Sequence, residues 1–202
     1  MKAYVMYELN VDPAAVEAAA EGLTKLGRQL HNIGGLQVEI DDSNSTLPND
    51  PTNRDWVDPD FMNDAPAWAD GSLNAYVTDR RLGRYALHGR ALLGRGLVIV
   101  STYVSPEHPT VNQVTPAMVR AVIKHEAGHA FGLVAKTAPN NVDGTDGHCG
   151  NECLMQRGDI RNLHGLTDMV IQDIGNPRTS GFCDDCRVHL GGISDPSGLL
   201  QH

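Results

Sequence analysis

The chain has 202 residues, 41% hydrophobic and 20% charged, which suits one globular domain with a proper core and excludes a two-enzyme fusion or a chain disordered throughout. Sixteen Lys plus Arg against 25 Asp plus Glu leave a formal charge of -9, so a polyanion has no broad electrostatic reason to bind, and nucleic acid is not an expected partner. No run approaches about 18 apolar residues, and the opening MKAYVMYELNVD alternates like a strand, so neither a membrane span nor a signal peptide is expected and the expected compartment is the cytoplasm.

Residues 3–9 (AYVMYEL) read as a strand. Asp12-Pro13 then supplies an N-cap and first-turn proline for a helix reaching about Leu30, with Val16, Ala19, Ala20, Leu23, Leu26 and Leu30 on its buried face. Residues 36–40 (LQVEI) alternate as a second strand and complete a strand-helix-strand crossover. From Asp41 to Asp70 there are eight Asp against one Arg, with prolines at 48, 51, 59 and 66. This segment reads as a long solvated loop pinned by Trp56, Phe61 and Trp68. It lacks the central Gly and closing Glu of an EF-hand, which argues against calcium.

Residues 73–78, 84–88 and 97–104 are further strand candidates, the middle one short and polar as an edge strand should be. Thr115-Pro116 opens a second helix, and Gly132 is placed as its stop. Residues 133–147, rich in Asn, Asp, Gly and Thr, read as a loop. A short helix near Thr167, another over 184–190 and a mobile tail over 191–202 complete the chain.

The second helix carries His125-Glu126-Ala127-Gly128-His129. Four residues at about 100° each bring the two imidazoles to one face, where both can reach one metal. Glu126 stands close enough to take a proton from a water that zinc acidifies to a pKa of about 7. A capped amphipathic helix is the context such a pair needs. A catalytic zinc takes a third protein ligand, and the position three residues after Gly132 is Ala135, which cannot serve. His148 is the nearest downstream nitrogen donor; Asp143, Asp146 and Glu152 are its rivals. Cys149 and Cys153, then Cys183 and Cys186, have the spacing of a four-thiolate zinc site, with disulfides as the alternative.

HEAGHAFG (125–132), HC (148–149), CLM (153–155) and FCDDC (182–186) together resemble the archaemetzincins, a metzincin-clan family of zinc metallopeptidases whose pattern runs HExxHxxGxxHC, a further cysteine, Cys-x-Met and a later CxxC. VTDRRL (77–82) and LVIVSTYV (97–104) resemble the family's strand-bearing stretches. Two departures stand out. About 13 extra residues separate Gly132 from His148, and three residues, where the family usually has four, separate Cys149 from Cys153.

The resemblance implies an α/β fold of metzincin type: a mixed twisted sheet, two long helices and a smaller C-terminal lobe with a structural zinc site. It divides the single domain 1–202 into an upper lobe (1–132), a lower lobe (133–190) and the tail. It further implies two zinc ions per chain, one catalytic on His125, His129 and His148, one structural on Cys149, Cys153, Cys183 and Cys186. Glu126 is then the general base and Met155 the Met-turn support. The strand over 84–88 becomes the edge that pairs with a peptide or protein substrate, with His88 and Arg90 as candidate substrate contacts. Nothing demands more than a monomer. A different class stays open: a catalytically inactive zinc-binding module whose HExxH pocket is occluded by the 133–147 insertion.

Overall fold

The computed structural model describes residues 1–42, 49–50, 53–57, 71–83, 88–92, 96–104, 106, 113–142, 147–156 and 163–195. Strand β1 (Lys2–Tyr7) leads into helix α1 (Pro13–Gly27), where Asp12 Oδ1 accepts the Ala14 amide at 2.9 Å and Pro13 occupies the first turn. The helix stops three residues short of Leu30, because the chain tightens into a turn in which Gln29 and Leu30 bond back to Leu26 and Gly27. Leu30 stays fully buried all the same. A 3₁₀ turn then returns the chain to β2 (Gln37–Asp41), parallel to β1.

The segment read as one long loop contains two short strands, β3 (Asn49–Asp50) and β4 (Asn53–Val57). Its prolines bound these strands instead of breaking them: Pro48 and Pro51 flank the first, Pro51 and Pro59 the second. Phe61 and Trp68 lie outside the described residues. After β5 (Leu73–Thr78), β6 (Arg81–Leu82) joins β3 and β4 in a small sheet, order β3-β4-β6.

The edge strand also differs from its reading. It is β7 (Gly89–Leu92), shifted beyond the expected 84–88; residues 84–87 lie outside the described set. With β8 (Leu97–Ser101) it completes the main sheet, order β2-β1-β5-β8-β7, in which β7 alone runs antiparallel to its neighbour. Alternation along the strands sorts the core. Ala3, Val5, Leu73, Ala75, Val77, Val98 and Val100 face the helices, while Met6, Tyr76, Leu97 and Ile99 pack with Leu82 on the opposite face. Strand β8 is buried at every position, hence its unbroken apolar run.

Helix α2 (Pro116–Ala130) lies across α1 and under β7 and β8. Thr115 Oγ1 caps it from the Met118 amide at 3.3 Å, and Gly132, at φ 72°, takes the left-handed turn that ends it. The crossing with α1 is close: a Cβ on Gly22 would stand 2.5 Å from Ile123 Cγ2. Helix α3 (Leu163–Gly175) begins four residues before Thr167, and α4 (Asp184–Gly192) takes in Gly191 and Gly192. The expected mobile tail therefore starts too early, since Ile193 is also buried in the core; residues 196–202 are outside the described set. No helix among the described residues is long and apolar enough to cross a membrane.

Candidate metal centres and active site

His125 and His129 stand one turn apart on α2, their rings edge to face with centroids 4.7 Å apart. His125 Nδ1 donates to the Leu154 carbonyl at 2.8 Å, which leaves its Nε2 as a bare lone pair 3.0 Å from His129 Nε2. Burial holds His125 down to about 4, and burial with the neighbouring imidazoles holds His129 well below the usual histidine range. Neutral nitrogens facing one another at that distance suit a cation between them: ligands about 2.0–2.1 Å from a tetrahedral zinc stand about 3.3–3.4 Å apart.

His148 completes the group, its ring 5.6 Å from that of His125 and 5.3 Å from that of His129. One ligand atom from each histidine lies within 4.8 Å of the others. The chain reaches this place by doubling back. Val142 N donates to His148 O, Gly150 N to Asn140 O at 2.8 Å, and Asn141 bridges to Cys149. Gly147, at φ 78°, runs so close to His129 that a Cβ would sit 3.2 Å from Nδ1. Of the rival ligands, Glu152 is exposed and outside this group; Asp143 and Asp146 lie outside the described residues.

Met155 is fully buried below the same helix, where a Cβ on Gly128 would meet its Sδ at 2.5 Å. Its neighbour Leu154 supplies the carbonyl that orients His125. Glu126 is 5% exposed. Burial pushes its carboxyl up to about 7, against the Ala91 backbone N–H that bonds it and the charge of Arg90. Arg90 is exposed on β7, whereas His88 is buried with Nδ1 3.4 Å from Ser101 O. The sequence candidates thus separate. Arg90 acts on the glutamate through its charge alone; His88 belongs to the packing of the sheet end.

The four cysteines form a second group, which starts at the residue after His148, and are free of disulfides. Cys149 Sγ stands 3.7 Å from Cys183 Sγ, and Cys153 Sγ 3.7 Å from Cys186 Sγ. A disulfide needs about 2.05 Å. Four sulphurs at about 2.3 Å from a tetrahedral zinc would lie about 3.8 Å apart, which the observed spacing matches.

A buried ionic cluster beside the histidines went unread in the sequence. Lys124 is fully buried, its Nζ bonding Asp173 Oδ1 and, at 2.6 Å, Ser180 O. Arg120 Nε donates to Asp173 Oδ2 at 2.7 Å and its Nη1 to Glu21 Oε2 at 3.1 Å. The available signal was the pair Arg120 and Lys124 at i, i+4, two cations on an otherwise buried helix.

No protein-family model matches the chain, and no curated protein does. Two solved structures are similar over nearly all of it. The archaemetzincin of Methanopyrus kandleri is 20% identical, with 94% of this chain and 93% of that one covered and a TM-score of 0.56. A zinc-dependent peptidase from Methanocorpusculum labreanum is 21% identical, with 94% and 100% covered and a TM-score of 0.58. The chain has their fold. The histidine group ends at His148 and the cysteine group begins at the next residue, Cys149.

Proposed function

We propose that the chain is a zinc metallopeptidase of the metzincin type, acting on peptides or proteins. The observation that carries this reading is the gathering of His125, His129 and His148 beside Glu126, under the strand that ends the main sheet among the described residues. The names of the two similar structures, an archaemetzincin and a zinc-dependent peptidase, support it. Bound by the three histidines, zinc supplies the charge that acidifies water and polarises a peptide carbonyl. Glu126 takes the proton of the attacking water and passes it to the leaving amine. Its bond to the Ala91 N–H on β7 supports a proton transfer beside a peptide bound at that edge.

The edge itself is suited to an extended peptide. Ser101 N donates to His88 O, so His88, Arg90 and Leu92 turn their peptide groups toward β8 and Gly89 and Ala91 turn theirs outward. A peptide adding to this edge would pair with the Gly89 peptide groups and the Ala91 carbonyl, since Glu126 already takes the Ala91 N–H. Arg90 adds a cation beside the cleft. Met155 supports the histidines from below, and the four cysteines hold a second, structural zinc.

The burial of His125 and Glu126 favours a second reading, an inactive zinc module with a closed pocket. One set of measurements separates the two. Elemental analysis is expected to find two zinc ions per chain in protein purified without a metal-affinity step. Peptide cleavage should fall at least about 100-fold in Glu126→Gln with zinc content unchanged, the usual size of a general-base effect. Zinc-loaded protein that leaves a broad peptide panel uncut would decide for the module.

A further inference from the structure

Each sulphur of the cysteine group accepts an N–H, and the donors come from different places. Cys153 Sγ accepts the backbone amides of Met155 at 3.4 Å and Cys183 at 3.3 Å. Cys183 Sγ accepts Asn151 Nδ2 at 3.6 Å, from within the cysteine-bearing segment. Cys149 and Cys186 share Asn140 Nδ2, at 3.2 and 3.6 Å. Asn140 alone of these donors belongs to the extra residues between Gly132 and His148. Four thiolates around one divalent cation carry a net charge of about -2 into a largely buried place, and N–H donors are what offsets it.

The backbone around Asn140 does a second job. Its carbonyl accepts Gly150 N, the side chain of its neighbour Asn141 donates to Val134 O at 3.0 Å and Ala135 O at 3.2 Å, and Val142 N donates to His148 O at 3.2 Å. One short stretch therefore touches the exit of α2, the third histidine and two of the four sulphurs.

We propose that Asn140 is a positioning residue for both metal groups: its amide holds residues 133–142 on the cysteine group and thereby sets His148 against His125 and His129. Residues 133–142 are then a brace between two zinc sites. This rests on reading both groups as zinc sites, and it is tested by metal retention, without recourse to cleavage.

The test follows zinc release to a chelator from the intact chain. Cobalt substitution assigns each phase, since thiolate ligands give cobalt intense charge-transfer absorption that histidine ligands lack. Asn140 is half-buried in a turn, so Asn140→Ala leaves the core alone, and Asn140→Asp keeps the side-chain shape while replacing the donor with an acceptor. Asn140→Ala should release zinc about 10- to 100-fold more readily from both groups, the usual cost of losing an outer-shell partner, and Asn140→Asp should do so more strongly. Asn151→Ala should weaken the cysteine group alone. Unchanged retention at either group in both Asn140 variants overturns the proposal. Failure of the underlying reading looks different: the unsubstituted protein would then bind fewer than two zinc ions.

Discussion

At Gly89 a single methyl group would decide where Glu126 can go. A Cβ there would stand 2.5 Å from Val122 Cγ1 and 2.7 Å from Glu126 Oε1, with Glu126 Cγ at 2.8 Å. The missing side chain thus admits the carboxylate to the Ala91 N–H. Gly89→Ala is expected to retain zinc, because no histidine is touched, while misplacing the base. A displacement on the order of 1 Å can cost about 100-fold in rate. Steady-state kinetics beside zinc content should show kcat falling at least about 10-fold with a smaller change in KM; an unchanged kcat would remove Gly89 from the positioning of Glu126. The two roles were not equally legible in the sequence. Helical periodicity alone puts His125 and His129 on one face, but the glutamate's partner depends on the register of a strand 35 positions earlier, from Ala91 to Glu126. No local pattern encodes it.

Between elements, the charge on Lys124 is what fastens α2 to α3. Fully buried and bonded to Asp173 and Ser180 O, it stands one residue before His125. Removing one partner of a buried pair strands the other without solvent, so Asp173→Ala should cost about 3–5 kcal/mol in urea unfolding. The double replacement Lys124→Met with Asp173→Leu should cost less than the sum of the two single changes, since no fully buried charge is left behind and Arg120, which also loses Asp173, keeps Glu21. Additive losses in that double-mutant cycle would mean the pair is not coupled. Elements with their own caps or periodicity were readable here: the Thr115-Pro116 start of α2, the Gly132 stop, and β5 to the residue. Those placed by pairing were not. Strand β7 forms where it can meet β8, so its position follows β8 and not its own composition. The short strands β3 and β4 likewise exist through pairing, β3 with the adjacent β4 and β4 with β6 farther along the chain.

Across the molecule, the polar ties between the C-terminal part and the sheet-bearing part, among the described residues, include those of Lys124 and Arg120 to Asp173. Leu154 O receives His125, Ser180 O receives Lys124, Ser180 Oγ donates to Lys25 O at 3.0 Å, and Arg187 Nε reaches Gln29 Oε1 at 3.4 Å. The cysteine group joins residues 149–153 to α4, and the histidine group joins residue 148 to α2. Metal at both places would therefore hold the segments that the backbone ladder does not reach. Zinc at about 1,000 times its dissociation constant adds about 4 kcal/mol per site to the folded state. For a chain of this size each site should be worth a midpoint shift of about 8–16 °C. Stripping zinc with a strong chelator should lower the thermal midpoint accordingly. In hydrogen exchange, residues 133–142, 147–156 and 176–193 should lose protection first, while β1, β5 and β8, buried among their neighbours, keep theirs. Protection lost evenly along the chain would mean that the metal sites stabilise the whole cooperative unit. Protection unchanged by the chelator would mean that packing, with Met155, Phe182 and Leu190 fully or almost fully buried, holds this part without metal.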